Sequence, residues 1–382
     1  MANTLTGLIP IIYEALDIVS REQVGFIPSI SIDASAETAA VGQTVRIPLA
    51  GVSTASDIVA ANVVPNTGTQ TVNYADMTIS KSRGVPIQWT GEEQRAVGAQ
   101  YETIVRNQFA QAFRALTNEV ETDLSVAATL GASRAVGTAG TTPFGTAGDL
   151  SDFANVNQVL DDNGAPQSMD RHLVTNSAAK AKLSGKQSVL FKVNEAGDSE
   201  LLRNGVIGQV EGLNIHTSTM LGRNPHTAGT GTSYVLNGAS NVGDTSIALK
   251  TGSGTILAGD ILTFGSDVNK YVVNTGITAP GSVIIAAPGN LTAETTGATA
   301  TVSGSYTPNF AFTKNAIQLI ARAPLMPMSG DAAADVAIVT DPVSGLSFQI
   351  AVYNVYRQVH IEVALAWGVS VIKPEHLVTL LG

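Results

Sequence analysis

Between Thr90 and Gly131 an apolar residue recurs every three or four positions: Val97, Tyr101, Val105, Phe109, Ala112, Leu116, Val120, Leu124 and Ala127. The mean step is about 3.75 residues, near the helical period and longer than the 3.5 of a coiled coil. Thr90-Gly91-Glu92-Glu93 spells a capping box, with Thr90 as N-cap and Glu93 at the third helical position. Glu102 and Arg106 stand four apart in the favourable order on the outer side, and Gly131 supplies a stop. A helix over residues 91–130 would run roughly 60 Å at 1.5 Å per residue. Few compact enzymes need such a rod; it suits a strut that spans an elongated subunit.

The flanking sequence has a different texture. Leu5, Leu8, Ile9, Ile12, Leu16 and Val19 form one stripe of a short helix with Pro10 in its first turn. That helix either docks on its own core or reaches a neighbouring subunit as an arm. In residues 28–80, Val45-Arg46-Ile47 and Met77-Thr78-Ile79-Ser80 alternate like half-buried strands, and Gly51 to Asn73 holds one charge, Asp57. An extended two-stranded loop is the expectation there. After a Gly/Thr/Ala linker over residues 131–150, a helix near 151–160, the turn Asp161 to Pro166, the strand His172 to Thr175 and a helix through Ala178 to Leu183 predict a mixed α/β domain. Residues 226–310 carry only Asp244, Lys250, Asp260, Asp267, Lys270 and Glu294 as charges. Short alternating runs recur between glycines there: Thr245 to Lys250, Asp260 to Phe264, Lys270 to Asn274, Ser282 to Ala287 and Ala298 to Ser303. They predict a small β-barrel or sandwich set into the α/β domain, whose character returns in residues 311–382 with Ala316 to Ile320, Ser347 to Val352 and His360 to Ala366 as strands.

Charge and cysteine content narrow the function classes. Only 14% of the 382 residues are charged, against about 25% in soluble domains generally. A chain so poor in charge is expected to bury much of its surface against copies of itself or other partners. The net charge of −10 argues against a dedicated nucleic-acid binder, which needs a basic face to neutralise phosphates. The absence of cysteine excludes disulfide frameworks, thiolate metal sites and thiol catalysis. Residues 1–20 hold no Lys or Arg, and Pro10, Glu14 and Asp17 interrupt their apolar run, so they do not read as a secretory signal. No uncharged apolar run of about 18 residues occurs, so no membrane helix is expected.

Catalytic and cofactor motifs are missing from the sequence, and the expectation is no enzyme, no cofactor and no metal. Gly229-Thr230-Gly231 is the nearest approach to a phosphate loop but lacks a third glycine and a following helix. His172, His216, His226, His360 and His376 share no metal-ligand spacing. His360 and Glu362 would face the same side of a strand as a conceivable acid/base couple, though a plain surface pair is the preferred reading. Asp161 with Asp162, and Asp331 with Asp335, are conceivable metal carboxylates, but their turn-rich surroundings favour capping and turn roles. Asn290-Leu291-Thr292 is a glycosylation sequon only in a secretory context.

The order of parts carries more than any motif. It runs arm helix, low-charge loop, strand, very long helix, α/β domain, β insertion, remainder of the α/β domain. This order resembles the Hong Kong 97 fold of tailed-bacteriophage major capsid proteins, and most of all podovirus-type coat proteins with an inserted β-barrel. Asp161 to Pro166 followed by Asp170 to Val174 resembles the family's helix-turn-strand at the start of its axial domain. Leu202 to Ser218, with Gly208 and Gly212, resembles its glycine-punctuated strand pair; Phe312 to Ile317 its re-entry strand; and Arg357 to Pro374 its closing strands.

The resemblance implies an α+β fold with a long spine helix, an axial α/β domain and an inserted small all-β domain. The divisions expected are an arm (1–30), an extended loop (31–75), a peripheral domain with the spine (76–145), an axial domain (146–225 and 311–382) and an inserted barrel (226–310). It implies a subunit that assembles with itself as hexamers and pentamers into an icosahedral shell, in a bacterial cytoplasm, for a virion. Further partners would be a scaffolding protein, a portal and weakly held double-stranded DNA, with no membrane. Relatives that carry their own scaffolding segment differ in that the arm helix here is expected almost at Met1, so scaffolding is expected as a separate protein. Relatives that cross-link through a loop lysine differ too: residues 1–80 contain none, the first being Lys81, so a non-covalent shell is expected. A nanocompartment shell of the same fold, a phage tail or adhesin protein, and an enzyme are the rival readings.

Overall fold

The computed structural model describes residues 22–33, 38–51, 55, 57–58, 60, 72–97, 101–167, 170–187, 207–327, 330–341 and 344–382. The expected arm helix over Leu5 to Val19 and the first part of the Leu202 to Ser218 stretch lie outside the described residues.

The capping box forms as spelled. The Thr90 amide donates to Glu93 Oε2 at 2.9 Å, and the Glu93 amide donates to Thr90 Oγ1 at 3.3 Å. It opens a helix at Gly91–Val97. The long helix spans Tyr101–Gly131, 31 residues, or about 46 Å. Residues 98–100 lie outside the described residues, so the expected single rod is described as these two segments. The expected stripe is the buried face, with Val105, Phe109, Ala112, Leu116, Val120 and Leu124 all 1% exposed or less. At the C-terminal end the stripe drifts by one position, and Ala128 rather than Ala127 is buried.

That face packs on a seven-stranded sheet whose centre is the strand Gln358–Val371. Phe113 meets Phe348 edge-on at 4.9 Å between ring centroids. Asp123 of the long helix accepts from Lys81 Nζ at 2.7 Å and from Trp367 Nε1 at 2.8 Å, which joins the helix to two strands. The central strand pairs with Lys81–Thr90, from Gln358↔Thr90 to Trp367↔Lys81. Sequence patterning does not reveal Lys81–Thr90, because Gly84, Pro86 and its charges break the alternation. The strand tolerates Pro86 because, among the described residues, its only strand partner is Gln358–Val371. Ala333–Thr340 was likewise unexpected, and forms the far edge of the same sheet.

A second sheet of twelve strands combines two bodies. Six strands between Tyr234 and Val302 close into a barrel, because Ile261–Phe264 pairs both with Thr299–Val302 and with Lys270–Thr275. Tyr234, Leu249, Phe264, Tyr271, Val273 and Ile285 fill its core. Closure removes the open edges that an isolated sheet would expose. The barrel joins the remaining strands through Tyr271↔Arg134 and Lys270↔Ala135. Pro308–Thr313, Arg171–Thr175 and Leu213–Thr217 continue the sheet, flanked by the helices Ser151–Asp162 and Ser177–Lys186. Asn176 caps the second of these helices, its Oδ1 accepting from the Ala179 amide at 2.7 Å.

Candidate functional site

The sequence candidates for chemistry are placed in structural roles. Asp161 accepts from Arg171 Nη2 at 2.7 Å, and the guanidinium holds its carboxyl below the usual carboxylate range. Asp162 lies 3.7 Å from Arg134. Gly229-Thr230-Gly231 does not cradle an anion from outside: the Gly229 amide donates at 3.1 Å to the fully buried Asp260 carboxylate. Asp260 also accepts from the Leu257 amide at 2.7 Å and pairs with His226 Nε2 at 2.8 Å, so one carboxylate ties both ends of this turn system together. Asn290 is fully buried, its amide donating to Ser240 Oγ and the Thr292 carbonyl, so the sequon is structural.

His172 and His216, remote in sequence, adjoin on neighbouring parallel strands with Nδ1 and Nε2 3.3 Å apart. Burial, then the neighbouring His216, pushes His172 down to about 4; burial lowers His216 as well. The histidine spacings gave no sign of this pair, because it depends on which strands lie side by side. Among the described residues no group of three or more His, Cys, Asp or Glu side chains could hold a metal ion, and no helix is long and apolar enough to cross a membrane.

What the molecule does present is exposed apolar surface on two of its strand pairs. The strands Thr44–Leu49 and Asn73–Thr78 form a ribbon in register from Thr44↔Thr78 to Leu49↔Asn73. Val45, Ile47 and Leu49 alternate with exposed residues, and near its root the ribbon packs on Met77, Ile79 and Ile320. Arg46 grips Asp76 with two bonds, at 2.8 and 3.0 Å, and lies 3.7 Å over the Tyr74 ring. Those contacts fix the ribbon's own register while leaving Tyr74 55% exposed. The edge strand Ala333–Thr340 turns Val336 and Ile338 outward, 40% and 47% exposed. An apolar, unpaired edge is a template for association with another chain. At the tip of the adjoining hairpin Tyr356 is 87% exposed, followed by Arg357 at φ +59°.

Within the core lies a polar anchor that no local pattern announces. Glu121 sits in the buried face of the long helix, 1% exposed. Its carboxylate accepts from the Phe26 and Ile27 amides, both at 2.9 Å, and from Ser218 Oγ at 2.7 Å. Nearby, Glu22 accepts from Arg114 Nη2 at 2.8 Å and pairs with Arg223 at 3.0 Å. The bond from Arg114 leads in holding the Glu22 carboxyl down to about 2. Two carboxylates thus bind the segment entering the fold to the middle of the long helix.

No family model and no curated protein sequence matches the chain. Among solved structures, it resembles a chain of the capsid of the Cyanophage P-SCSP1u at 13% identity and a TM-score of 0.51, over 95% of this chain and 90% of that one. The two therefore share a fold, mixed α+β, along nearly their whole lengths. Weaker likenesses are to a chain of the capsid of Myoviridae Phage XM1 (12% identity, TM-score 0.45, 96% and 95% covered) and to the virus-like particle from Pyrococcus furiosus (11%, 0.43, 99% and 100%).

Proposed function

We propose that the chain is a tailed-bacteriophage major capsid protein, a shell-building subunit rather than an enzyme. One observation carries this reading: the fold shared with the cyanophage capsid chain over 95% of its length. The sequence supports it through the order of parts and the low charge, which suits a protein buried on many sides by its own copies. In this reading the helix Tyr101–Gly131 is the spine of a peripheral domain (76–145). Residues 146–225 and 311–382 form the axial domain that meets its copies in pentamers and hexamers, and residues 226–310 are the inserted barrel. The ribbon within residues 31–75 lies over an adjacent subunit, and residues 1–30 act as an arm. Many modest contacts add into a closed icosahedral shell. The shell assembles in the bacterial cytoplasm with scaffolding and portal proteins, encloses double-stranded DNA, and its acidic balance keeps the wall from gripping that DNA.

Negative-stain electron microscopy of the purified chain, alone and with candidate scaffolding partners, tests the proposal. Closed shells or capsomer rings are expected. A monodisperse monomer in every condition would sink it. The shell is held non-covalently in this reading, so a ladder of linked subunits on reducing SDS gels of particles would overturn that part.

A further inference from the structure

Three asparagines in the chain precede a glycine: Asn163, Asn204 and Asn237. That dipeptide carries a latent reaction. The backbone nitrogen of the second residue can attack the side-chain amide carbon of the first, and glycine, having no Cβ, leaves the approach open. A folded chain permits the attack where the asparagine side chain is free to turn, the following N–H is not committed to a hydrogen bond, and water has access. Asn204 lies outside the described residues. The other two stand at opposite extremes.

Asn163 is locked. Its Nδ2 donates to the Glu375 carbonyl at 2.8 Å and to Ser133 Oγ at 3.2 Å, and its Oδ1 accepts from Arg134 Nη2 at 3.0 Å. The Gly164 amide donates to the Asp161 carbonyl at 2.9 Å. Every group the reaction needs is held by another partner.

Asn237 is the reverse case. It follows the barrel strand Tyr234–Leu236, forms a bend with Gly238, and is exposed. Among the described residues, neither its side-chain amide nor the Gly238 N–H has a hydrogen-bond partner. A Cβ built on Gly238 would meet nothing within 4 Å, so the space beside the attacking nitrogen is open. The chain is pinned on both sides of the bend. The Asn237 amide donates to the Ala248 carbonyl at 2.8 Å, and the Ser240 amide to the Glu294 carbonyl at 2.9 Å. The two groups that must meet are therefore the ones the barrel leaves unengaged.

We propose that Asn237 is a self-modifying position, where the folded chain deamidates without an enzyme. The Gly238 nitrogen bonds to Asn237 Cγ and gives up its proton, the Cγ–Nδ2 bond breaks, and Nδ2 leaves as ammonia. The five-membered succinimide so formed is opened by water. Attack at Cγ yields aspartate; attack at the main-chain carbonyl carbon yields isoaspartate, whose backbone runs through the former side chain. No atom changes oxidation state, and water is the only co-reactant. Either product adds a negative charge to the barrel, and isoaspartate also adds a carbon to its main chain next to the Leu236↔Leu249 pair. The inference stands on the barrel itself and holds whether or not the chain builds a shell.

The test is peptide mass spectrometry of the purified full chain, kept folded in mildly alkaline buffer and sampled over days, with circular dichroism confirming the fold throughout. The peptide holding Asn237 is expected to lose ammonia and then to gain the mass of an amide-to-acid exchange, while the peptide holding Asn163 stays unchanged. In the chain unfolded by urea, both asparagines should convert. Gly238→Ala, which has room for its Cβ, should fold normally and convert several-fold more slowly, because the methyl hinders the attacking nitrogen. An Asn237 that stays intact in the folded chain overturns the proposal. So does an Asn163 that converts as fast as Asn237 in the folded chain, or an undiminished rate in Gly238→Ala.

Discussion

Replacing Glu121 separates two roles of one side chain. In Glu121→Ala the amides of Phe26 and Ile27 and the hydroxyl of Ser218 lose their common acceptor inside the core. A buried donor left unpaired costs about 1–3 kcal/mol, and relief from burying a carboxyl offsets part of three such losses, so a net cost of about 3–5 kcal/mol follows. Glu121→Gln keeps an acceptor oxygen for the two amides and offers an N–H to Ser218 Oγ, so its cost should stay within about 1 kcal/mol. The pH dependence supplies a second reading. Burial pushes the Glu121 carboxyl above the usual carboxylate range, against the pull of the Ser218 hydroxyl and of the backbone donors at Ile27, Phe26 and Gly25. The folded subunit then holds the proton more tightly than the unfolded chain, so the acid's contribution is full at pH values below about 4.3 and is lost as pH rises through the folded value. Glutamine does not ionise, so its stability relative to wild type should climb over that interval and then level. Urea denaturation of the unassembled subunit at several pH values measures all of this. The reasoning fails if Ala costs less than about 1 kcal/mol, or if Gln is as damaging as Ala.

The remaining expectations concern the pH response, one close contact and one surface. His172 is held at about 4 by burial and by His216, with Asp170 opposing and Lys314 assisting. The unfolded chain binds more protons than the folded one below about 6.5, so the urea midpoint should fall as pH drops from about 6.5 toward 4, and His172→Phe should flatten that slope. A Cβ at Gly368 would lie 2.3 Å from the Thr78 carbonyl oxygen at the root of the ribbon. Gly368→Ala should therefore cost about 1–3 kcal/mol, and an unchanged denaturation midpoint would show the contact to be loose. Ile338→Lys, on the exposed edge strand, should leave subunit stability within about 0.5 kcal/mol while lowering the yield of assembled particles by light scattering. Normal assembly would remove that edge from the contact surfaces.

The parts of the fold legible in the sequence are those whose burial is periodic along the chain. Val105 to Leu124 repeats at the helical step because strands of both sheets pack along one side of the helix and leave the other to water. The barrel strands, such as Ser246–Lys250 with Ile247 and Leu249 buried, alternate because one side faces the barrel core. Lys81–Thr90 broke the pattern because, among the described residues, it is paired along one side only, and an edge strand admits a proline such as Pro86. Glu121 stayed hidden for the opposite reason. A glutamate flanked by helix apolars reads as an outward residue, and nothing local says that two amides some 95 positions earlier will need its carboxylate.

The same limit explains why His172 and His216 did not read as a pair. Spacing along the chain compares a residue with its own strand or turn, as it did for His360 with Glu362 and for Asp331 with Asp335. The contacts that matter run across strands and are set by register: Glu362 stands opposite Ala351 and Tyr353 opposite His360. Tyr353 in turn reaches the loop that carries Asp331. A one-residue slip in the pairing of Ser347–Val355 with Gln358–Val371 would turn Gln349 and Tyr353 to the helix side and send Phe348 and Ile350 out to water. The hydrophobic face that locks the sheet on the long helix is therefore what fixes which polar residues share the opposite face. Any variant that keeps that core should keep that register, whatever happens at the exposed edge.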